Sequence, residues 1–250
     1  ISYAHIENFK NLDRIAQAKG EMIHNIASGG TMVINMDDKY FNYFFKEAKK
    51  CKLKIVTFSK NNPKANIFIH KIKNIKNKCI INIKVKNEIK SFLISKNLSK
   101  FKENILAVIS IISNYFEIKK LNRNLFLGFD IPKSRGSIIS YKKGFKKIMI
   151  VDESYNSNPL SLSSAISNFS NTDVENKKKH FLMGDMLELG KHSKKLHKSM
   201  SNILNKSKIN KIHIYGNYAI ETYKGIKKNR KGRILRKTSD IYDLIVRDLN

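Results

Sequence analysis

Across residues 67–94 the apolar side chains recur at every second position, whereas on either side they recur at every third or fourth. That change of period fixes the fold class more tightly than any other feature. Ile81, Ile83 and Val85 alternate with Asn82, Lys84 and Lys86, the pattern of a strand with one wet face. Asn87 and Glu88 form a turn before residues 89–94, so the stretch is antiparallel hairpin material. Upstream, Asn11 can cap a helix with Asp13 in its first turn. Leu12, Ile15, Lys19, Met22 and Ile26 follow at helical spacing, and Gly29-Gly30 ends that unit. Residues 31–35 read as a strand. Asp37-Asp38 opens a helix carrying Tyr40, Phe44, Phe45 and Ala48, and residues 54–58 read as a second strand. After the hairpins, residues 101–116 return to a helix with Ile105, Val108, Ile109 and Ile112 on one face.

Pro132 and Gly136 punctuate a mixed segment, and the expected domain boundary lies just after it. The first domain is residues 1–136 and the second residues 137–250. Residues 141–151 read as a hairpin turning at Lys143-Gly144, with residues 148–151 (IMIV) as a short buried strand. Pro159 suits a helix's first turn. Strands at 181–183 and 212–215 then alternate with helices at 193–204, 218–223 and 239–249. The fold class is α/β throughout. A partial central domain, with a mixed sheet, helices and a β-hairpin region, precedes a Rossmann-like domain.

Composition excludes several classes. Hydrophobic content of 41% supports a packed core, so the chain is not disordered. The longest apolar run, around residues 105–112, is too short to span a bilayer, and no leader pattern opens the chain. A cytoplasmic protein with no membrane insertion is the expectation, monomeric by default. Cys51 and Cys79 have neither CxxC spacing nor a His at ligand spacing, so both read as reduced structural thiols. The net charge of +29 invites a polyanion partner. Yet Lys is spread along nearly the whole chain beside abundant Ile and Asn, all residues with AT-rich codons, while Arg is scarce. Base composition accounts for that profile, and no specific nucleic-acid partner is expected.

Four places carry residues able to do chemistry. Lys19 lies on the apolar stripe of its helix, where a charged amine is costly unless paired, modified or snorkelling to the rim; snorkelling is the plainer reading. His5 stands on the loop before that helix. Asp152-Glu153 follows directly on the strand at 148–151, at the strand end where α/β sheets bind ligands. The SYNSNP segment behind it, with Asn156 and Asn158, precedes a helix N-terminus; it can face an anionic group or simply make a capping turn. Gly184-Asp185-Met186 follows the next strand, and two such polar strand ends argue for one shared cleft. Arg135 in PKSRG can clamp a phosphate or stand as a solvated charge.

Read in order, YAHIENF (3–9), AQAKGEM (16–22), INMDD (34–38), ENILA (103–107), PKSRG (132–136), DESYNSNP (152–159) and GDMLELGKHSKKLH (184–197) resemble the Mur ligase family. The last two motifs are the most specific. The resemblance implies ATP-dependent amide ligation through an acyl phosphate, with Mg2+ and ATP as cofactors. UDP-N-acetylmuramoyl-tripeptide and D-alanyl-D-alanine are the implied partners. It makes Lys19 the lysine that is carbamylated to hold magnesium, and His5 a further metal ligand. Asn104 would contact the nucleotide, Arg135 the ATP phosphates, and Asp152 and Glu153 the ribose. Asn156, Asn158 and Asp185 would face substrate. The phosphate loop GxxxxGK[ST] does not occur in these residues, and LSKF (98–101) stands where the family has Gly-Arg-His-Asn. The chain therefore reads as a piece of a ligase that is inactive alone. Another ligase of the same family, or a basic nucleic-acid binder, are the alternatives.

Overall fold

The computed structural model describes residues 1–3, 6–143, 146–172 and 178–248. They form two compact units. Asp13–Ile131 together with Ile1 makes the first, and Ser2–Leu12 with Pro132–Asn250 the second. The sequence puts residues 2–12 with the first unit. Their packing is with the second: the Glu7 N–H donates to the Glu188 carbonyl at 3.1 Å.

Helix α1 (Leu12–Gly20) leads through a 3-10 turn (Glu21–Asn25) to strand β1 (Thr31–Asn35). Helix α2 (Phe41–Lys50), strand β2 (Lys54–Ser59), and strands β3 (Ile67–Ile75), β4 (Lys78–Val85) and β5 (Glu88–Ser95) follow, then helix α3 (Lys102–Ile112). The five strands form one sheet in the order β1-β2-β3-β4-β5. β1, β2 and β3 run parallel, and β3, β4 and β5 antiparallel. Period two explains β4: Cys79, Ile81, Ile83 and Val85 are buried, while the residues between them are half-exposed. They pack with Phe92 and Ile94 against Ile105, Leu106 and Ile109 of α3. A second cluster, Ile23, Ile34, Ala48 and Leu53, involves α2. The β3–β4 and β4–β5 connections put Lys76 and Lys86 at φ 43° and 53°, a conformation costing about 1–2 kcal/mol for a residue with a Cβ. An unbroken β4–β5 register from Lys78–Ser95 to Val85–Glu88 offsets it.

The second unit contains a hairpin of β6 (Ser137–Lys143) and β7 (Lys146–Asp152), helix α4 (Pro159–Asn171), strand β8 (His180–Met183) and helix α5 (Ser193–Lys206). Strand β9 (Lys211–Tyr215), helix α6 (Ala219–Lys224), strand β10 (Lys231–Leu235) and helix α7 (Thr238–Asp243) complete it. β8, β9 and β10 form a parallel sheet in the order β10-β9-β8. Strand β10 has little strand signal in the sequence, because KGRIL has charged residues at two of its five positions and a glycine at a third. Two expectations are corrected. Residues 148–151 are not a buried strand: Ile148, Ile150 and Val151 are half-buried and Met149 is exposed. β7 pairs with β6 in a sheet of two, so the ends of β7 and β8 are not neighbours in one sheet. The expected turn residue Gly144 lies outside the described residues.

Arg230 ties the second unit together. Its guanidinium donates to the carbonyls of Leu204 (2.8 Å), Asn205 (2.7 Å), Ser207 (2.5 Å) and Ile209 (3.0 Å). These carbonyls lie at and beyond the end of α5, and an always-charged fork of donors gathers them together.

Candidate functional site

The turn around Arg135 brings together residues that lie 16 or more positions apart in sequence. Ser134 takes φ +61° and Gly136 φ +97°, so PKSRG folds back on the end of β7. The Gly136 N–H donates to the Asp152 carbonyl at 2.7 Å, and the Tyr155 N–H to the Ser134 carbonyl at 3.0 Å. A Cβ on Gly136 would stand 3.0 Å from Glu153 Oε1, so glycine lets the Glu153 carboxylate lie against this turn. The Arg135 guanidinium sits over the Tyr155 ring, 4.1 Å from its centroid. Stacking engages the face of the guanidinium, and its N–H groups point outward in the plane, as bidentate phosphate binding requires. Both residues are exposed.

Asp152 is held as a carboxylate. The Ser154 hydroxyl donates to Oδ1 at 2.7 Å and the Ser154 N–H at 3.0 Å, while the Ser134 hydroxyl donates to Oδ2 at 2.9 Å. These bonds, the Ser154 hydroxyl first, keep its pKa below the ordinary carboxylate range. Three candidate residues are thereby assembled within one unit: Arg135, Asp152 and Glu153. Tyr155, which no sequence argument singled out, is what fixes the guanidinium plane.

Asn158 is the N-cap of α4. Its side-chain oxygen accepts from the N–H groups of Leu160 and Ser161 at 3.0 and 3.1 Å, and the Ser161 hydroxyl accepts from the Asn158 N–H. That is the capping turn. The Asn156 side-chain oxygen accepts from the Ser157 N–H at 2.7 Å.

Asp185, a substrate-facing candidate by resemblance, has its carboxylate engaged within the second unit. Its carboxylate accepts from the N–H groups of Asn217 (2.8 Å), Tyr218 (2.9 Å) and Ala219 (2.7 Å) at the start of α6. It thus locks the turn after β9 to the turn after β8. Gly216, at φ +119°, is required beside it, because a Cβ there would come within 2.5 Å of the carboxylate carbon. His197, buried on α5, belongs to the same knot. Its Nε2 accepts from the Met186 N–H at 2.9 Å, which places the ring proton on Nδ1, facing the Ser193 carbonyl at 2.8 Å. Burial pushes its pKa below the ordinary histidine value. The signal for it was present: Ser193, His197, Met200, Ser201 and Leu204 form one helical stripe.

In the first unit, Lys19 is exposed in the last turn of α1, where a cation suits the helix C-terminus. The buried residues are Ile15, Ala16, Gly20 and Ile23, and Met22 is 62% exposed. The lysine therefore snorkels, and burial supplies no argument for its modification. His5 lies outside the described residues. Asn104 is exposed in the first turn of α3, next to Glu103, which pairs with Lys60 at 2.5 Å. Among the described residues no group of three His, Cys, Asp or Glu side chains could hold a metal ion. Nor is any described helix long and apolar enough to cross a membrane.

The sequence profile of the Mur ligase middle domain matches residues 1–112. The chain is 23% identical over 223 residues to a UDP-N-acetylmuramoyl-tripeptide–D-alanyl-D-alanine ligase of Rickettsia prowazekii (strain Madrid E), covering 89% of this chain and 48% of that protein. It is 28% identical over 235 residues to a protein of the same name from Buchnera aphidicola subsp. Acyrthosiphon pisum (strain APS), covering 90% and 48%. In fold it is similar to the crystal structure of MurF from Acinetobacter baumannii, with a TM-score of 0.79 at 20% identity over 98% of this chain and 51% of that one. The MurF ligase of Thermotoga maritima, solved in complex with ADP, gives a TM-score of 0.74 at 20% identity over 99% and 54%. The chain spans about half the length of the curated relatives it matches. Residues 1–112 match the Mur ligase middle domain, and over most of its length the chain is similar to ligases of that family.

Proposed function

We propose that this chain is part of a cytoplasmic, ATP-dependent ligase that joins D-alanyl-D-alanine to UDP-N-acetylmuramoyl-tripeptide. The observation that carries the reading is the Arg135–Tyr155 stack beside the Asp152–Glu153 strand end. It sets a flat, outward-facing array of N–H donors next to two carboxylates. That combination suits a nucleotide triphosphate, with phosphates against the guanidinium and ribose hydroxyls against the carboxylates.

ATP supplies the phosphoryl group that turns the tripeptide's terminal carboxylate into an acyl phosphate. The chain's residues then position and neutralise. Arg135 draws negative charge off the phosphates as it redistributes in transfer, an effect available only where the donors are already in place. Asp152, pinned by two serines, and Glu153 hold the ribose. The family resemblance adds Asn104, on the first turn of α3, as a separate candidate for contact with the nucleotide. The dipeptide's amine attacks the acyl carbon, and phosphate leaves. Magnesium does not fit the described residues as they stand, because the Lys19 amine is a cation. It fits only a carbamylated Lys19, whose oxygens would suit a hard ion together with His5. That part of the reading rests on the family resemblance.

The test uses the complete polypeptide that contains these residues. Phosphate release from ATP is expected only when tripeptide precursor and D-alanyl-D-alanine are both present. Release that ignores the dipeptide, or that another amino-acid substrate supports equally, assigns the chain to a different ligase of the family.

A further inference from the structure

Cys51 and His24 meet in the first unit at 3.4 Å, Sγ to Nδ1, although they lie 27 positions apart. The Glu47 carboxylate stands 3.8 Å from the other ring nitrogen, Nε2. The imidazole thus has the thiol at one ring nitrogen and the carboxylate at the other, between the end of α2 and the 3-10 turn at Glu21–Asn25. The His24 side chain is 59% exposed and Glu47 16%. Lys50 pairs with Glu47 at 2.6 Å from the same helix. Cys51 is half-buried, with one side against the cluster of Ile23, Ile34, Ala48 and Leu53. The chain's other thiol is a contrast. Cys79 is 1% exposed, and its S–H points at the Asn74 side-chain oxygen at 3.0 Å.

We propose that Cys51 is a thiol-exchange site for small disulfides, with His24 as its base. In the step, His24 Nδ1 takes the Sγ proton while the sulfur attacks one sulfur of a disulfide R–S–S–R′. A Cys51–S–S–R bond forms and the R–S–S–R′ bond breaks. R′–S⁻ leaves and takes the proton back from the imidazolium, so no net oxidant is needed beyond the disulfide itself. Glu47 favours the transient imidazolium by its charge, as the third member of such an array does. Lys50 shares that carboxylate and stays cationic beside the developing thiolate. None of these residues belongs to the nucleotide site, so the ligase reading and this one stand or fall separately. A mixed disulfide on Cys51 would wedge between the end of α2 and the 3-10 turn and loosen the packing around Ile23.

The test reacts the complete folded polypeptide with Ellman's disulfide and with glutathione disulfide, locating the adducts at Cys51 and Cys79 by peptide mass analysis. Cys51 is expected to react first and Cys79 only on unfolding. His24→Ala, a surface change whose folding is checked by circular dichroism, should slow the Cys51 reaction about tenfold or more. Added imidazole should restore much of the rate. Equal labelling of both cysteines in the folded chain overturns the proposal. So does a His24→Ala variant that reacts at the parent rate, or one that imidazole does not rescue.

Discussion

Arg135→Ala in the complete polypeptide is expected to lower kcat about a hundredfold to a thousandfold, about 2.7–4 kcal/mol of transition-state stabilisation. The magnitude is that of losing a preorganised donor array where, in the proposed reaction, phosphate charge shifts. Arg135→Lys should recover only part of it. A lysine keeps the charge but has neither the plane that stacks on Tyr155 nor the paired donors that match two phosphate oxygens. Both residues are exposed, so neither variant should move the unfolding midpoint. Steady-state kinetics with ATP varied separates the outcomes. A rise in KM with kcat unchanged would make Arg135 a ground-state contact only.

Asp185→Ala is expected to destabilise the second unit by about 2–4 kcal/mol in a denaturant titration. Three backbone N–H groups at the start of α6 lose a charged acceptor together, and each is left at a helix end with no protein partner in its place. Asp185→Asn keeps one oxygen and should cost about half as much. Gly216→Ala attacks the same knot from the other side and should fall in the same range, because its φ of +119° and the nearby carboxylate both oppose a Cβ. A stable but inactive Asp185→Ala variant would return the residue to the substrate-binding role that its motif suggests.

Those two residues mark where the sequence was legible. The faces of β4 could be read directly, since a period of two leaves only one way to bury Ile81, Ile83 and Val85 together. The position of Asp185 after an apolar strand was equally plain, but its use was not. Its partners are backbone groups 32 to 34 residues ahead, and a backbone N–H carries no sequence signal. Met22 was misplaced for a local reason. After Gly20 the chain tightens from an α-helix to a 3-10 turn, the angle per residue increases, and Ile23 takes the buried position instead. Arg135, Asp152 and Glu153 stand out in the sequence as candidates because they flank a turn and a strand end. Tyr155 was not, because an exposed tyrosine announces nothing until the guanidinium is seen on it.

The central claim is that the tripeptide's carboxylate is activated by phosphorylation before the amine attacks. Tripeptide precursor carrying heavy oxygen in its terminal carboxylate tests this directly, in a reaction with ATP and D-alanyl-D-alanine on the complete polypeptide. The account predicts one labelled oxygen in each phosphate released, matched one to one with the amide formed. Amide product accompanied by unlabelled phosphate would contradict it.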